Sequence, residues 1–442
     1  MVFIVAVLVI ALSIAGFFVY SGLPEKVLHY TLNGLIKDGS LTMIMPSGAK
    51  NTYGNGKGAK TVVRIKDSNT VLKLVLNSSF EVGQAFMDGR IILEEGDVYD
   101  FLEVLLGNAR LMTGVGALGR IMFTATWVLR RLAQYNPVKW SKQNVAHHYD
   151  LSDELFDLFL DPDRQYSCSY FPTPDTKLED SQALKKRHIA AKLLLDQNKE
   201  NILKVLDIGS GWGGLAFYIN KVSGANVTGI TLSEEQHKVS NQRATDQNVK
   251  DKVHFEILDY RHETRKYDRV VSVGMLEHVG VNHFDEYFQK VAQVLTDDGV
   301  ALIHSIGRSD GPGTTNPWIR KYIFPGGYTP ALSEVLPAIE RAGLVVNDIE
   351  ILRLHYAETL RSWRNRFEAK RAEVRALYDE RFCRMWEFYL ASSEATFRYG
   401  GHMVFQVQLT KRNDIVPQTR DYIYETEQKL PLSPAPYKYP SK

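Results

Sequence analysis

Short apolar runs that alternate with helix-like segments constrain the fold of this chain more than any other feature. They begin after Asn201 with ILKVLDIGS and continue with ANVTGITLS, VHFEILDY, YDRVVSVGM and VALIHSIG. Strands separated by helices pair in parallel through right-handed crossovers. The pattern therefore predicts an α/β domain built on a parallel sheet. HMVFQVQLTK, near the end of the chain, is expected to add an antiparallel edge strand.

The first of these strands runs into a glycine turn that opens a helix, VLDIGSGWGG. Gly209, Gly211 and Gly213 let the backbone approach a ligand closely. Asp207, just before the first glycine, would repel a pyrophosphate and suits a cationic or amine-bearing ligand. S-adenosylmethionine carries a sulfonium and an ammonium and no phosphate, so the turn favours a class I, Rossmann-like S-adenosylmethionine-dependent methyltransferase. The alternative is a glycine turn that only closes a strand–helix unit.

Composition excludes several other functions. The net charge of +2 gives no global case for nucleic acid. Cys168 and Cys383 are too few for a disulfide framework, and neither CxxC nor HExxH occurs, so no metal site is expected. NPPY-type and DPPY-type motifs are also absent, which argues against a base in DNA as the methyl acceptor.

The chain divides by pattern into four parts. Residues 1–24 are an apolar segment, long enough at ~1.5 Å per residue to anchor the chain in a ~30 Å hydrocarbon core. A signal peptide, or an extension absent from the working protein, is the competing interpretation. Residues 25–125 predict a small α+β domain for lipid binding or dimerisation, residues 126–411 the catalytic domain, and residues 412–442 an irregular tail.

RIMFTATWVLRRLAQYNPVKW, residues 120–140, places basic residues among aromatic and aliphatic ones. It is either a packed helix with solvated charged ends or a surface that touches anionic lipid headgroups.

Four further stretches carry groups able to do chemistry: RQYSCSYFP around Cys168, GMLEHVG around Glu277, ALIHSIG around His304, and LHYAETLRSWRNRF around Tyr356. Singly, each is more typical of a packed structural residue than of a catalytic one. Together, and in this order with FPGGYTP and FYLASSEATFR, they resemble the cyclopropane-fatty-acyl-phospholipid synthases and mycolic acid cyclopropane synthases. The resemblance extends over roughly residues 30 to 410.

The resemblance implies roles for individual residues. Cys168, Glu277, His304, Tyr356 and the backbone of Ile306 match the catalytic residues that surround a bicarbonate ion, so Cys168 is not expected to act as a nucleophile. The positions that match or are expected to form the S-adenosylmethionine site are Tyr166, Ser167, Asp207, Gly209, Gly211, Gly213, Thr231, Leu232 and Gln236.

The activity implied is transfer of a methylene group to the cis double bond of unsaturated acyl chains in membrane phospholipids, which closes a cyclopropane ring. An alkene is a weak nucleophile, so water must be excluded and a base must remove a proton before the ring closes. The expected location is the cytoplasmic side of the membrane, peripheral or anchored, with a homodimer as one arrangement. The alternatives are a lipid C-methyltransferase that leaves a methyl branch or methylates an unusual acyl chain, a catalytically silent lipid- or nucleotide-binding protein, and a small-molecule methyltransferase.

FYLASSEATFR departs from some members of the family, which carry a second cysteine near this helix. Ser392 and Ser393 stand here instead, so no role that requires a thiol is expected at this position.

Overall fold

The computed structural model describes residues 22–109, 151–195, 202–432 and 439. The apolar run 1–20 and the basic aromatic stretch 120–140 lie outside these residues. The chain forms two compact units. Of the described residues, the first unit comprises 22–109, 316–323 and 367–400, and the second comprises the remaining segments.

The strands and helices of the described residues are numbered in chain order. The strands are β1 (Ser40–Ile44), β2 (Lys50–Tyr53), β3 (Lys60–Ile65), β4 (Ile91–Glu95), β5 (Lys204–Ile208), β6 (Asn226–Thr231), β7 (Val253–Ile257), β8 (Tyr267–Val273), β9 (Leu295–Arg308), β10 (Val345–Ile351) and β11 (His402–Thr410). The helices are α1 (Leu23–Leu35), α2 (Ser68–Met87), α3 (Val98–Ala109), α4 (Asp153–Phe159), α5 (Leu178–Lys192), α6 (Gly214–Ser223), α7 (Glu234–Asp246), α8 (Leu276–Val279), α9 (Phe284–Val294), α10 (Pro317–Tyr322), α11 (Leu332–Arg341), α12 (His355–Ala369), α13 (Arg371–Leu377), α14 (Glu380–Tyr399) and α15 (Asp421–Lys429).

The second unit is built on a seven-stranded sheet with the order β10-β11-β9-β8-β5-β6-β7. The five strands from β5 to β9 pair in parallel, which confirms the predicted α/β architecture. β11 runs antiparallel to both of its neighbours, β9 and β10. Buried apolar side chains cover both faces of the sheet, as a parallel sheet requires.

The prediction that HMVFQVQLTK is an edge strand is wrong. This segment is β11, and it lies inside the sheet because β10 continues beyond it. β10 has the sequence VVNDIEI and is only partly buried along nearly its whole length. Polar residues interrupt its apolar ones, so it lacks the continuous apolar run that identifies the inner strands in the sequence.

The tail after Arg412 is not wholly irregular, because α15 lies within it. Ile423 is buried, and the Glu427 carboxylate contacts the His188 ring of α5 at 2.6 Å. One buried side chain and one ion pair therefore hold a helix that its own charged, aromatic sequence did not predict.

The first unit contains a four-stranded sheet with the order β2-β1-β3-β4, together with α1, α2 and α3. Segments far along the chain complete it: Trp318 of α10 packs against Phe388 of α14, with ring centroids 4.8 Å apart. The Tyr399 hydroxyl donates a hydrogen bond to Glu103 at 2.8 Å. A division by position along the chain, at about residue 125, does not include these later segments. Nowhere in the described ranges is there a helix that is both long and apolar enough to span a bilayer.

Candidate active site

A cleft lies at the carboxyl ends of the central parallel strands, where ligands of open α/β sheets bind. Its walls come from the glycine turn after β5, the end of β6, the segment after β7 and the turn after β8. It encloses about 1260 Å³, including open solvent at its mouth. The residues that line it belong to the second unit throughout.

The cleft collects most of the residues predicted to hold the cofactor. Those that line it are Tyr166, Ser167, Asp207, Gly209, Gly211, Thr231, Leu232 and Gln236. Gly213 is the exception. It caps α6 at φ 85°, and an added Cβ would come within 3.0 Å of the rings of Phe217 and Phe255. The structure therefore gives Gly213 a packing role beneath the cleft.

Two features of the glycine turn fit an amine-bearing ligand. Gly211 has φ 54°, and a Cβ there would meet no protein atom within 4 Å, so the backbone faces open space. Asp207 is buried at the end of β5, and its Oδ2 has no hydrogen-bond partner among the described residues. Burial raises the pKa of this carboxyl to about 7. A ligand ammonium would satisfy the orphaned oxygen and favour its ionised form.

The other walls are held in place by local hydrogen bonds. Thr231 Oγ1 donates to Gln236 Oε1 at 2.9 Å, which joins the end of β6 to the first turn of α7. The loop before α5 is anchored through the Gln182 amide, which donates to the carbonyl of Ser167 at 3.0 Å. These contacts fix two separate chain segments around one cleft.

Several residues that line the cleft were not predicted to have a role there. They are Lys185, Trp212, Met275, His278 and the segment Asp259–Arg261. His278 stood in a stretch already singled out, GMLEHVG. Lys185 lies in SQALKKRH, which looks like an ordinary charged helix, so no local signal separates it from its neighbours.

Glu277 lies in α8, directly after β8. β8 ends at Val273 while β9 continues to Arg308, so the N–H of Ile306 faces no strand on this side. Glu277 Oε1 accepts that N–H at 2.6 Å. Its Oε2 is buried, with no hydrogen-bond partner in the described parts of the chain. The residue as a whole is only partly buried, but burial of its carboxyl raises the pKa of that group to about 7.

His304 lies on β9, two residues before Ile306, and is buried. Burial lowers its pKa to about 3, so the ring is neutral at physiological pH. Lys192 donates to Gln406 Oε1 at 2.9 Å, which turns the Gln406 amide nitrogen toward His304 Nδ1, 3.1 Å away. The ring therefore accepts at Nδ1 and carries its proton on Nε2.

Cys168 is buried, and burial raises its pKa well above the ordinary thiol value, so it is protonated. The next residue, Ser169, bonds through both its N–H (3.1 Å) and its hydroxyl (2.8 Å) to Thr359 Oγ1 of α12. These bonds fasten the cysteine segment to the helix whose first turn holds Tyr356. The Tyr356 ring lies 5.8 Å from that of Trp363, which lies 5.1 Å from that of Tyr166 in the cleft.

The structure thus places the Glu277 carboxyl in hydrogen-bond contact with the Ile306 N–H. It also links the segment of Cys168, through Ser169 and Thr359, to the helix that carries Tyr356. None of the five predicted catalytic residues is among those that line the cofactor cleft. The charge of Lys185, in the cleft, acts on two of these catalytic candidates. Burial raises the pKa of Cys168 and lowers that of His304, and the Lys185 ammonium opposes the first shift and adds to the second.

Comparison with known proteins gives a consistent result. The model of the mycolic acid cyclopropane synthetase family matches residues 138–407. A probable fatty acid methyltransferase of Pseudomonas putida is 34% identical over 387 residues, which cover 85% of this chain and 94% of the relative. The cyclopropane-fatty-acyl-phospholipid synthase of Escherichia coli K12 is 33% identical over 79% of this chain and 87% of its own.

Among solved structures, mycolic acid cyclopropane synthase CmaA1 complexed with SAH and CTAB superposes with a TM-score of 0.57 at 30% identity. The match covers 62% of this chain and 99% of that one.

Proposed function

The chain belongs to the mycolic acid cyclopropane synthetase family of S-adenosylmethionine-dependent methyltransferases, and from this we propose that it forms cyclopropane rings in phospholipids. Its acceptor is the cis double bond of an unsaturated acyl chain in a membrane phospholipid. The observation that carries the proposal is Glu277, a carboxyl with an orphaned buried oxygen and a pKa of about 7.

The cofactor cleft prepares the first step. S-adenosylmethionine, when bound, supplies an activated methyl group. Asp207 and the backbone at Gly211, which line the cleft at the carboxyl end of β5, would hold the amine end of the ligand. A weakly nucleophilic alkene can compete for the methyl group only where water is excluded, so the bound lipid would have to close the open mouth of the cleft.

Glu277 then acts as the general base for the loss of the proton that distinguishes ring closure from simple methylation. A general base works best when its pKa lies near the working pH, and a value of about 7 meets that condition. The Ile306 N–H holds one carboxylate oxygen at 2.6 Å and leaves the other free to accept a proton. Ile306 is therefore a positioning residue for Glu277.

We further propose that His304, Tyr356 and Cys168 would hold a bicarbonate ion beside Glu277, where the ion would supply a proton acceptor. The neutral His304 ring presents its Nε2–H as a donor, and the Tyr356 phenol is a second donor. Cys168, protonated because burial raises its pKa, shapes the pocket as a neutral thiol. Such a set binds a small anion without forming a covalent bond to it.

The alternative outcome is a lipid C-methyltransferase that leaves a methyl branch. The similarity to a probable fatty acid methyltransferase over 85% of the chain favours keeping it. Both activities begin with the same methyl transfer and differ only in the fate of the proton.

The first unit is proposed to contact the membrane surface or a second copy of the chain, on the cytoplasmic side. Large apolar side chains are exposed on its helices: Tyr30 is 81% exposed and Leu76 is 74% exposed. An exposed apolar side chain is costly in water and favourable at a lipid or protein surface.

The test uses purified protein, vesicles of cis-unsaturated phospholipid and methyl-labelled S-adenosylmethionine. We expect labelled acyl chains that gain one CH2, lose the alkene and show cyclopropane protons by NMR. A labelled methyl branch would select the alternative, and absence of label from lipid would refute a lipid acceptor.

A further inference from the structure

Lys185 of α5 is a buried cation inside the cofactor cleft. Only 1% of the surface of Lys185 is exposed, and the residue lines the cleft. Its ammonium donates to Gln165 Oε1 and to Ser167 Oγ, each at 2.8 Å. An ammonium has three N–H donors, so one remains after these two neutral partners.

Lys185 differs from the other cations nearby. The neighbouring Lys186 pairs with Asp163 at 2.5 Å, and Lys192 pairs with Glu350. Across the described ranges, no carboxylate oxygen lies within 4 Å of the Lys185 ammonium, and its nearest acidic influences act at longer range.

The two other cations that line the cleft are already neutralised. Arg164 bonds to Asp157 through two nitrogens at 2.6 Å each. Arg261 bonds to Asp259 at 2.6 Å. Lys185 is therefore the cleft-lining cation, within the part of the chain that the structure describes, whose charge is not balanced by a direct ion pair.

A buried cation without a carboxylate partner is costly, and an anionic group of a ligand would offset that cost. The cleft also holds the buried carboxyl of Asp207, whose Oδ2 has no partner among the described residues. The charge of Lys185 acts to lower the pKa of Asp207, against the larger effect of burial, and the two groups form no direct ion pair. An unbalanced ammonium and a carboxyl with an orphaned oxygen in the same cleft are complementary to a zwitterion.

We propose that Lys185 binds the α-carboxylate of the methionine part of S-adenosylmethionine and S-adenosylhomocysteine, while Asp207 binds its α-ammonium. This assignment rests on the cofactor dependence of the family and adds a residue that no local sequence pattern singles out. Ser167, already bonded to Lys185 at 2.8 Å, would lie near the same carboxylate. A phosphate-bearing ligand would instead face a single cation and the repulsion of Asp207.

The test measures binding rather than turnover. Titration calorimetry is carried out with S-adenosylhomocysteine and with its decarboxylated analogue, which keeps the amine, on the wild-type protein and on Lys185→Gln. We expect Lys185→Gln to weaken S-adenosylhomocysteine binding by roughly 30-fold or more. Binding of the analogue should change by less than about threefold, which also shows that the cleft is intact.

Lys186→Gln is the matched control, because it removes an adjacent buried ammonium whose partner is Asp163. Lys186→Gln should preserve the wild-type preference for S-adenosylhomocysteine over its decarboxylated analogue. Lys185→Arg, which keeps a cation at this position, should retain part of that preference. Equal weakening of both ligands in Lys185→Gln, or a wild-type protein that does not prefer the carboxylate, would overturn the proposal. A wild-type protein that binds neither ligand would overturn the cofactor assignment itself.

Discussion

Replacing Glu277 by glutamine separates the activity of this protein from its stability. The amide oxygen of glutamine can still accept the Ile306 N–H, as Glu277 Oε1 does at 2.6 Å, so the local geometry is preserved. What the substitution removes is the ionisable group and the buried oxygen that has no partner among the described residues.

The magnitude follows from the pKa. Burial raises the pKa of Glu277 from 4.5 to about 7, which corresponds to at most about 3 kcal/mol at 1.36 kcal/mol per unit. Because the folded-state pKa is raised, the folded protein favours the protonated form. Its contribution to stability is complete below pH 4.5 and is lost as the pH rises through about 7. Glu277→Gln, which cannot ionise, should therefore unfold at a higher temperature than wild type at pH 8 and at nearly the same temperature at pH 4.5.

The activity should change in the opposite direction. With the proton acceptor gone, label transfer to vesicle lipids should fall by roughly a hundredfold or more, while S-adenosylhomocysteine binding by calorimetry stays within a few-fold of wild type. Wild-type turnover should rise with pH through about 7, as the carboxyl of Glu277 ionises.

Glu263→Gln is a control variant for which the expected change in stability is the reverse of that for Glu277→Gln. Its buried carboxylate pairs with Arg265 at 2.6 Å, and that arginine holds its pKa at about 2, against the effect of burial. This variant should lose stability at neutral pH and keep its transfer activity. Near-wild-type turnover of Glu277→Gln, or a loss of stability at pH 8, would refute the assignment of Glu277 as a desolvated base.

Four further substitutions test the rest of the site. Cys168→Ser should keep part of the activity, since the thiol shapes a pocket; complete loss in a folded protein, with a trapped thioether in wild type, would restore a nucleophile. Gln406→Leu should lower kcat by a larger factor than it changes the KM for the cofactor. ¹⁵N NMR of this variant should show that the His304 ring no longer adopts a single tautomer. Asp207→Asn should weaken S-adenosylhomocysteine binding by roughly tenfold or more, and unchanged affinity in calorimetry would remove Asp207 from the ligand site. Gly211→Val should abolish that binding, because a β-branched residue is strained at φ 54° and its side chain would enter the cleft; retained binding would show that the turn does not touch the ligand.

The parallel sheet was predictable because its signal is local. Each inner strand is a short apolar run, and the glycine turn after β5 follows directly from VLDIGSGWGG. β10 and α15 were missed for the complementary reason. Polar residues interrupt the apolar ones in both, and long-range contacts hold them: pairing with β11 for β10, and the contact of Glu427 with His188 for α15.

The site divides in the same way. The sequence alone determined the fold class, the family and the acid that precedes the glycines, because each depends on short motifs and on their order along the chain. Tertiary structure alone decided that Gly213 packs against rings, that Glu277 takes the N–H of Ile306, and that Lys185 lies unbalanced in the cleft. Desolvation and ion pairing depend on which side chains meet in space, and segments far apart in the sequence supply those neighbours.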